Sequence, residues 1–217
     1  FSGWTNCDSA SGSTCTMTMT ASKSTLTASF AVASFALTVY LQPNGTVVSS
    51  SGGISCGATC TATYTYNTAV TLTAQPATGY NVGSWGGACS GTGTTCTLTI
   101  TAAVSAWVYF KPSTYPLAAS TPSNGTIITT DVTTGTQVTG ISCGTAGTGD
   151  CAETLTYGNA IALTAIPASA SYTWSSWTGA CSSAGSATCI IQPSGADGTA
   201  ISVGAVFVPV YTLTVST

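Results

Sequence analysis

Cysteines and carboxylates are the only side chains here with obvious chemistry, because the chain holds no histidine and no arginine. Its ten cysteines fall in five close pairs: Cys7/Cys15, Cys56/Cys60, Cys89/Cys96, Cys143/Cys151 and Cys181/Cys189. Thiols at such spacing either oxidise to disulfides or ligate zinc as thiolates. A four-cysteine zinc set, for example Cys56, Cys60, Cys89 and Cys96, is the rival reading, and no histidine accompanies it. An even number of cysteines at repeating spacing, in a chain that looks exported, reads as a disulfide framework in an oxidising, extracellular or cell-surface compartment. The block around Cys7 and Cys15 contains no other cysteine, so theirs is the only bridge available inside it. By analogy the later tryptophan-proximal pairs, Cys89/Cys96 and Cys181/Cys189, close locally. Loops this short are worth about 2–2.5 kcal/mol each on the chain-entropy estimate.

Catalysis finds no constellation. The usual general base and the usual cationic oxyanion clamp are both missing. Asp150 and Glu153 flank Cys151 and are the only close carboxylates, and residues three apart on an extended chain point to opposite faces. The expectation is a protein that is not an enzyme and carries no cofactor. Asp131, Asp150, Glu153 and Asp197 match no calcium-loop spacing and read as loop solvation. Asn44 and Asn124 lie in glycosylation sequons, but each precedes glycine, which by itself signals a hairpin turn. Lys23 and Lys111 occupy non-equivalent places, which argues against a repeated isopeptide cross-link.

Composition narrows the classes further. Two lysines cannot neutralise a phosphate backbone, so nucleic acid is excluded as a partner. The longest weakly polar stretch, Ala28 to Leu41, is interrupted by Ser29, Ser34 and Thr38 and is too short for a helical membrane span. Phe1 onward has neither the basic start nor the apolar core of a secretory signal, which reads as a mature product or a fragment. Abundant aromatic and β-branched residues argue against disorder. A net charge of −3 on so few ionisable groups gives little mutual repulsion, so self-association is expected.

The elements that must carry these groups recur along the chain. Gly3-Trp4-Thr5-Asn6-Cys7, Trp85-Gly86-Gly87-Ala88-Cys89 and Trp177-Thr178-Gly179-Ala180-Cys181 are versions of one block. A strand-like opener appears as Phe35–Val39, Tyr115–Ala119 and Tyr211–Val215. Asn44-Gly45-Thr46 and Asn124-Gly125-Thr126 follow the first two openers. Next come Gly53-Ile54-Ser55-Cys56-Gly57 and Gly140-Ile141-Ser142-Cys143-Gly144, then the alternating runs Val70–Ala74 and Ile161–Ala165. Period-two alternation also marks Thr16–Met19, Thr61–Tyr66 and Cys96–Ile100, with hydroxyls on one face and apolar groups on the other. The fold expected is all-β: tandem small β-sandwich or β-grasp-like repeat domains, each stapled by short-range disulfides. The boundaries are 1–34 (the C-terminal half of a repeat), 35–114 (complete), 115–210 (complete, with loop insertions between predicted strands) and 211–217 (a first strand or donor strand).

The ordered set of aromatic-x-Leu-Thr-Val opener, Asn-Gly-Thr turn, Gly-Ile-Ser-Cys-Gly, Val-Thr-Leu-Thr-Ala-x-Pro and Trp-x-Gly-Ala-Cys-Ser resembles the divergent internalin-type B-repeat domains of bacterial surface proteins. The resemblance implies small β-rich tandem modules, secreted or on the cell surface, serving as stalks or adhesive segments. It brings no catalytic residues.

The function expected is a non-enzymatic structural repeat segment of an extracellular bacterial surface fibre or adhesin. Its partners would be other copies of itself or neighbouring repeats. The opener without a body at Tyr211, Leu213 and Val215 suggests a strand donated head to tail to the incomplete first segment of a second copy. The alternative is a carbohydrate-binding or host-adhesion module using exposed aromatic residues on a surface polysaccharide. Trp4, Trp85 and Trp177 read as core elements beside a bridge, and the candidate named for sugar stacking is Trp174.

Overall fold

A computed structural model of the protein describes residues 1–18 and 25–215. Every regular element among them is a β-strand, and no helix is present in the described residues. The chain divides into two compact units. One comprises Phe1–Gln42, Thr46–Gln75 and Ser84–Val108; the other comprises Pro43–Gly45, Pro76–Gly83 and the chain from Tyr109 onward.

Four short strands open the chain: β1 (Gly3–Thr5), β2 (Ser9–Ser11), β3 (Thr14–Thr16) and β4 (Thr27–Ser29). β1 pairs antiparallel with β4, and β2 with β3. Eight strands follow: β5 (Ser34–Leu41), β6 (Gly45–Ser49), β7 (Ser55–Cys56), β8 (Thr61–Thr65), β9 (Thr68–Pro76), β10 (Tyr80–Gly87), β11 (Thr95–Ile100) and β12 (Val104–Pro112). They build two four-stranded sheets, ordered β10-β12-β5-β8 and β11-β9-β6-β7. Eight more repeat the plan: β13 (Thr114–Ala119), β14 (Gly125–Thr130), β15 (Gln137–Gly144), β16 (Ala152–Thr156), β17 (Ile161–Pro167), β18 (Tyr172–Gly179), β19 (Thr188–Ile191) and β20 (Ile201–Pro209). Their sheets are β18-β20-β13-β16 and β19-β17-β14-β15, the same order with every strand shifted by eight. The fold is all-β with several sheet units, of the sandwich type.

Alternation explains why these segments are strands. In β9, Val70, Leu72 and Ala74 are buried while the intervening threonines are not. In β12, Ala106, Val108 and Phe110 point in. The later sandwich packs Tyr115, Leu117, Ile127, Ile141, Leu163 and Trp177 into one apolar cluster contributed by both of its sheets. Full burial of a side chain of this size contributes about 1.5–3 kcal/mol. In each plan the first and last strands lie side by side and run parallel, β5 with β12 and β13 with β20. A parallel pair needs a long crossover connection, and here the whole intervening segment supplies it.

Three features differ from the sequence reading. Asn44-Gly45 and Asn124-Gly125 do not turn hairpins; each carries the chain from one sheet to the other, since β5 and β6, like β13 and β14, belong to different sheets. Both asparagines adopt positive φ, 77° and 64°, which asparagine tolerates better than most residues. Each following glycine lies against an aromatic ring, Gly45 under Phe110 and Gly125 under Phe207, where a Cβ would clash. The insertions expected in the loops of 115–210 are not all loop: ahead of Gly140, Gln137 pairs with Thr130 and lengthens the β14–β15 hairpin. Finally, Tyr211–Val215 forms no strand and pairs with no strand among the described residues, and of Thr16, Met17 and Thr18 only Thr16 lies in a strand. Met19, Lys23, Ser216 and Thr217 lie outside the described residues.

Candidate functional site

The cysteines form five disulfides: Cys7–Cys15, Cys56–Cys60, Cys89–Cys96, Cys143–Cys151 and Cys181–Cys189. Four of them share a design visible only in the topology. Cys56 ends β7 in one sheet and Cys60 sits just before β8 in the other; Cys143, next to last in β15, and Cys151, just before β16, are placed alike. Cys89 follows β10 and Cys96 lies in β11; Cys181 and Cys189 do the same for β18 and β19. β7, β8, β10 and β11 are all edge strands, as are β15, β16, β18 and β19. Each sandwich therefore has one covalent clasp across each of its two lateral edges.

A tryptophan braces one clasp of each pair. Trp85 and Trp177 are buried, and their indole N–H groups donate to the carbonyls of Gly93 and Ser186, at 2.7 and 2.9 Å. Both acceptors lie inside the short disulfide loop, so ring burial and loop geometry are coupled. Trp4 is half-buried, and its Nε1 finds no partner among the described residues.

The carboxylates are spent on local structure. Asp131 accepts hydrogen bonds from the amides of Thr133 and Thr134 and from the Thr134 hydroxyl, which hold its carboxyl below the ordinary value. Asp197 accepts from the amide and hydroxyl of Thr114. Glu153 differs. Burial pushes its pKa up against hydrogen bonding from the Thr129 hydroxyl, the Asp150 charge adds to the rise, and the Ile141 amide opposes it. Its Oε2 has no hydrogen-bond partner among the described residues. Glu153 lines an open groove of about 500 Å³ with Pro116, Ala152 and Ile201, and no second acid or base joins it there. No group of three or more metal-ligating side chains exists among the described residues, and no helix there is long and apolar enough to cross a membrane.

Trp174, the sequence candidate for sugar stacking, is half-buried and packs against the core cluster, with its Nε1 enclosed and unpartnered among the described residues. Tyr211, Leu213 and Val215 are 87%, 88% and 77% exposed and lie in no strand.

Exposed aromatics do occur, at positions the sequence reading passed over. Trp107 on β12 and Tyr40 on β5 are direct partners in the parallel register, on the outer face of their sheet, and are 45% and 61% exposed. The indole of Trp107 lies across Gly86 of β10, where any Cβ would collide with it. Beside them stand Ser105, paired with Thr38, and Thr61, whose hydroxyl donates to that of Thr38 at 3.2 Å. The available signal was parity: Trp107 alternates with Ala106 and Val108, so the strand that buries the two small residues must present the large one outward.

Residues 42–114 match the sequence model of the divergent InlB B-repeat domain. No curated protein matches the chain. Among solved structures the chain is similar to the Bacillus anthracis TIE protein, with 11% identity and a TM-score of 0.45, over 80% of this chain and 34% of that one.

Proposed function

We propose that this chain, whose residues 42–114 match the divergent InlB B-repeat domain, is a non-enzymatic structural repeat segment of an extracellular bacterial surface fibre or adhesin. The observation that carries the reading is the clasped sandwich built twice in the same strand order. Disulfides persist in oxidising compartments, and duplication of a stapled module yields length without a unique reactive site. In this reading the repeats are 35–114 and 115–210, preceded by a partial repeat at 1–34. Labelling intact producing cells with a membrane-impermeant amine reagent or antibody tests it. Surface labelling with all cysteines oxidised supports the proposal; a reduced protein confined to the cytosol overturns it.

Head-to-tail assembly is a second reading, favoured by the exposed apolar side chains of Tyr211, Leu213 and Val215. In both complete plans the opener lies parallel to the last strand, whereas among the described residues β4 has only β1 beside it. The segment 211–217 of one copy would supply the missing neighbour of β4 in the next, by strand addition. Electron microscopy and light scattering at high concentration check this. Fibres lost on removing residues 211–217 are the expected result, and a monodisperse monomer with that segment intact contradicts it.

A further inference from the structure

We propose that the outer face of the β10-β12-β5-β8 sheet is a platform for a neutral polysaccharide, with Trp107 and Tyr40 stacking on sugar rings. The first argument is geometric. Trp107 presses one face of its indole onto Gly86 and leaves the rest open to water. Its register partner Tyr40 stands one strand away, about 4.8 Å by ordinary sheet spacing. Two aromatic groups so placed fall within the length of a disaccharide. The electron-rich faces of aromatic rings attract the polarised C–H groups on the flat side of a pyranose.

The second argument comes from an internal control. The β18-β20-β13-β16 sheet has the same strand order, and its equivalents of Trp107 and Tyr40 are Gly204 and Ser120. The equivalent of Gly86 is Thr178, whose hydroxyl stands over Gly204. The fold is therefore built equally well without outer-face aromatics. Trp107 and Tyr40 are additions to this architecture, and the glycine at position 86 is the matching change that lets the indole lie flat.

The third argument fixes the ligand class. No charged residue occurs between Lys23 and Lys111, and Lys111, four residues beyond Trp107 on the exposed face of β12, is a single positive charge, too little to hold a sulfated or phosphorylated glycan or nucleic acid. What surrounds the rings is hydroxyl: Thr38, Thr61 and Ser105. Hydroxyls beside an aromatic face suit the alternating C–H and O–H surface of an uncharged sugar. A second protein chain would want a broader apolar patch, about 800 Å² per partner in a standard interface.

Native gels containing hydroxyethyl cellulose, glucomannan or yeast mannan, with heparin as the anionic control, test the platform on the full oxidised chain. At least one neutral polymer should retard the protein, and heparin should not. Trp107→Ala should weaken retardation about tenfold or more, as loss of a central aromatic anchor does. Tyr40→Ala should weaken it by roughly threefold, Trp107→Phe should keep most of it, and Ser120→Ala on the other sheet should change nothing. Circular dichroism and intact mass confirm that each variant folds with its disulfides. The proposal fails if no neutral polymer retards the wild type, or if Trp107→Ala is retarded equally. It also fails if Trp107→Ala abolishes self-association while no glycan binds, which would make the face an interface between copies.

Discussion

Trp85 and Trp177 sit at equivalent places in two sheets and do the same work: each is buried and donates to a carbonyl inside a disulfide loop. One residue further along, the sheets part company. Gly86 lies beneath Trp107, whereas Thr178 stands over Gly204. The inward position answers to the core, the loop carbonyl and the clasp together, so there is little room for change. The outward position answers only to its cross-strand neighbour, so bulk moves between the two strands without disturbing the sandwich. What differs between the sheets is thus where a function added to the fold would be found.

Several substitutions sharpen or break that contrast. The largest effect belongs to the shared interior: Trp85→Ala and Trp177→Ala should each cost about 3–5 kcal/mol in denaturant unfolding. Markedly unequal losses would undo the equivalence of the two cores. The clasps come next. Replacing both cysteines of Cys56–Cys60 should cost about 2 kcal/mol, and of Cys143–Cys151 about 2.5 kcal/mol, because the second loop is longer. Gly86→Ala should cost about 1–3 kcal/mol, since its methyl must displace a large ring. Thr178→Ala, on the plain sheet, should stay within about 0.5 kcal/mol.

The smallest effect is a pH dependence confined to the later sandwich. Glu153 has a raised folded pKa, so the folded state holds its proton more tightly than the unfolded state does. Its contribution to stability therefore falls as pH rises through the window between the ordinary glutamate value of 4.5 and the raised folded value. Glu153→Gln should raise the melting temperature at pH 7 and converge with wild type in acid below 4.5. Equal shifts at both pH values would contradict the assignment. Asp131 has the opposite sign, its stabilisation being lost as pH falls through its lowered pKa.

Much of this molecule was legible in its sequence because the governing interactions are local. Alternation in Val70–Ala74 and Ile161–Ala165 announced β9 and β17, and closely spaced cysteines announced short covalent loops. Non-local pairing was hidden. Nothing in Phe35–Val39 says that its parallel neighbour lies beyond residue 100. Asn-Gly misled because the same dipeptide serves a hairpin and a crossing between sheets; the need for glycine came from Phe110 and Phe207, distant in the chain. The clasps' role depended on knowing that β7 and β8 are edges of different sheets. Trp174 drew attention through its place beside the repeated block, while Trp107, outside every repeated landmark, did not.

The most direct test of the account is peptide mapping by mass spectrometry on native protein from producing cells, digested without reductant after alkylation of free thiols. Five cross-linked sites with the pairings 7–15, 56–60, 89–96, 143–151 and 181–189, and no alkylated cysteine, are the predicted result. Alkylated thiols throughout, or bridges joining cysteines from different sandwiches, would contradict it.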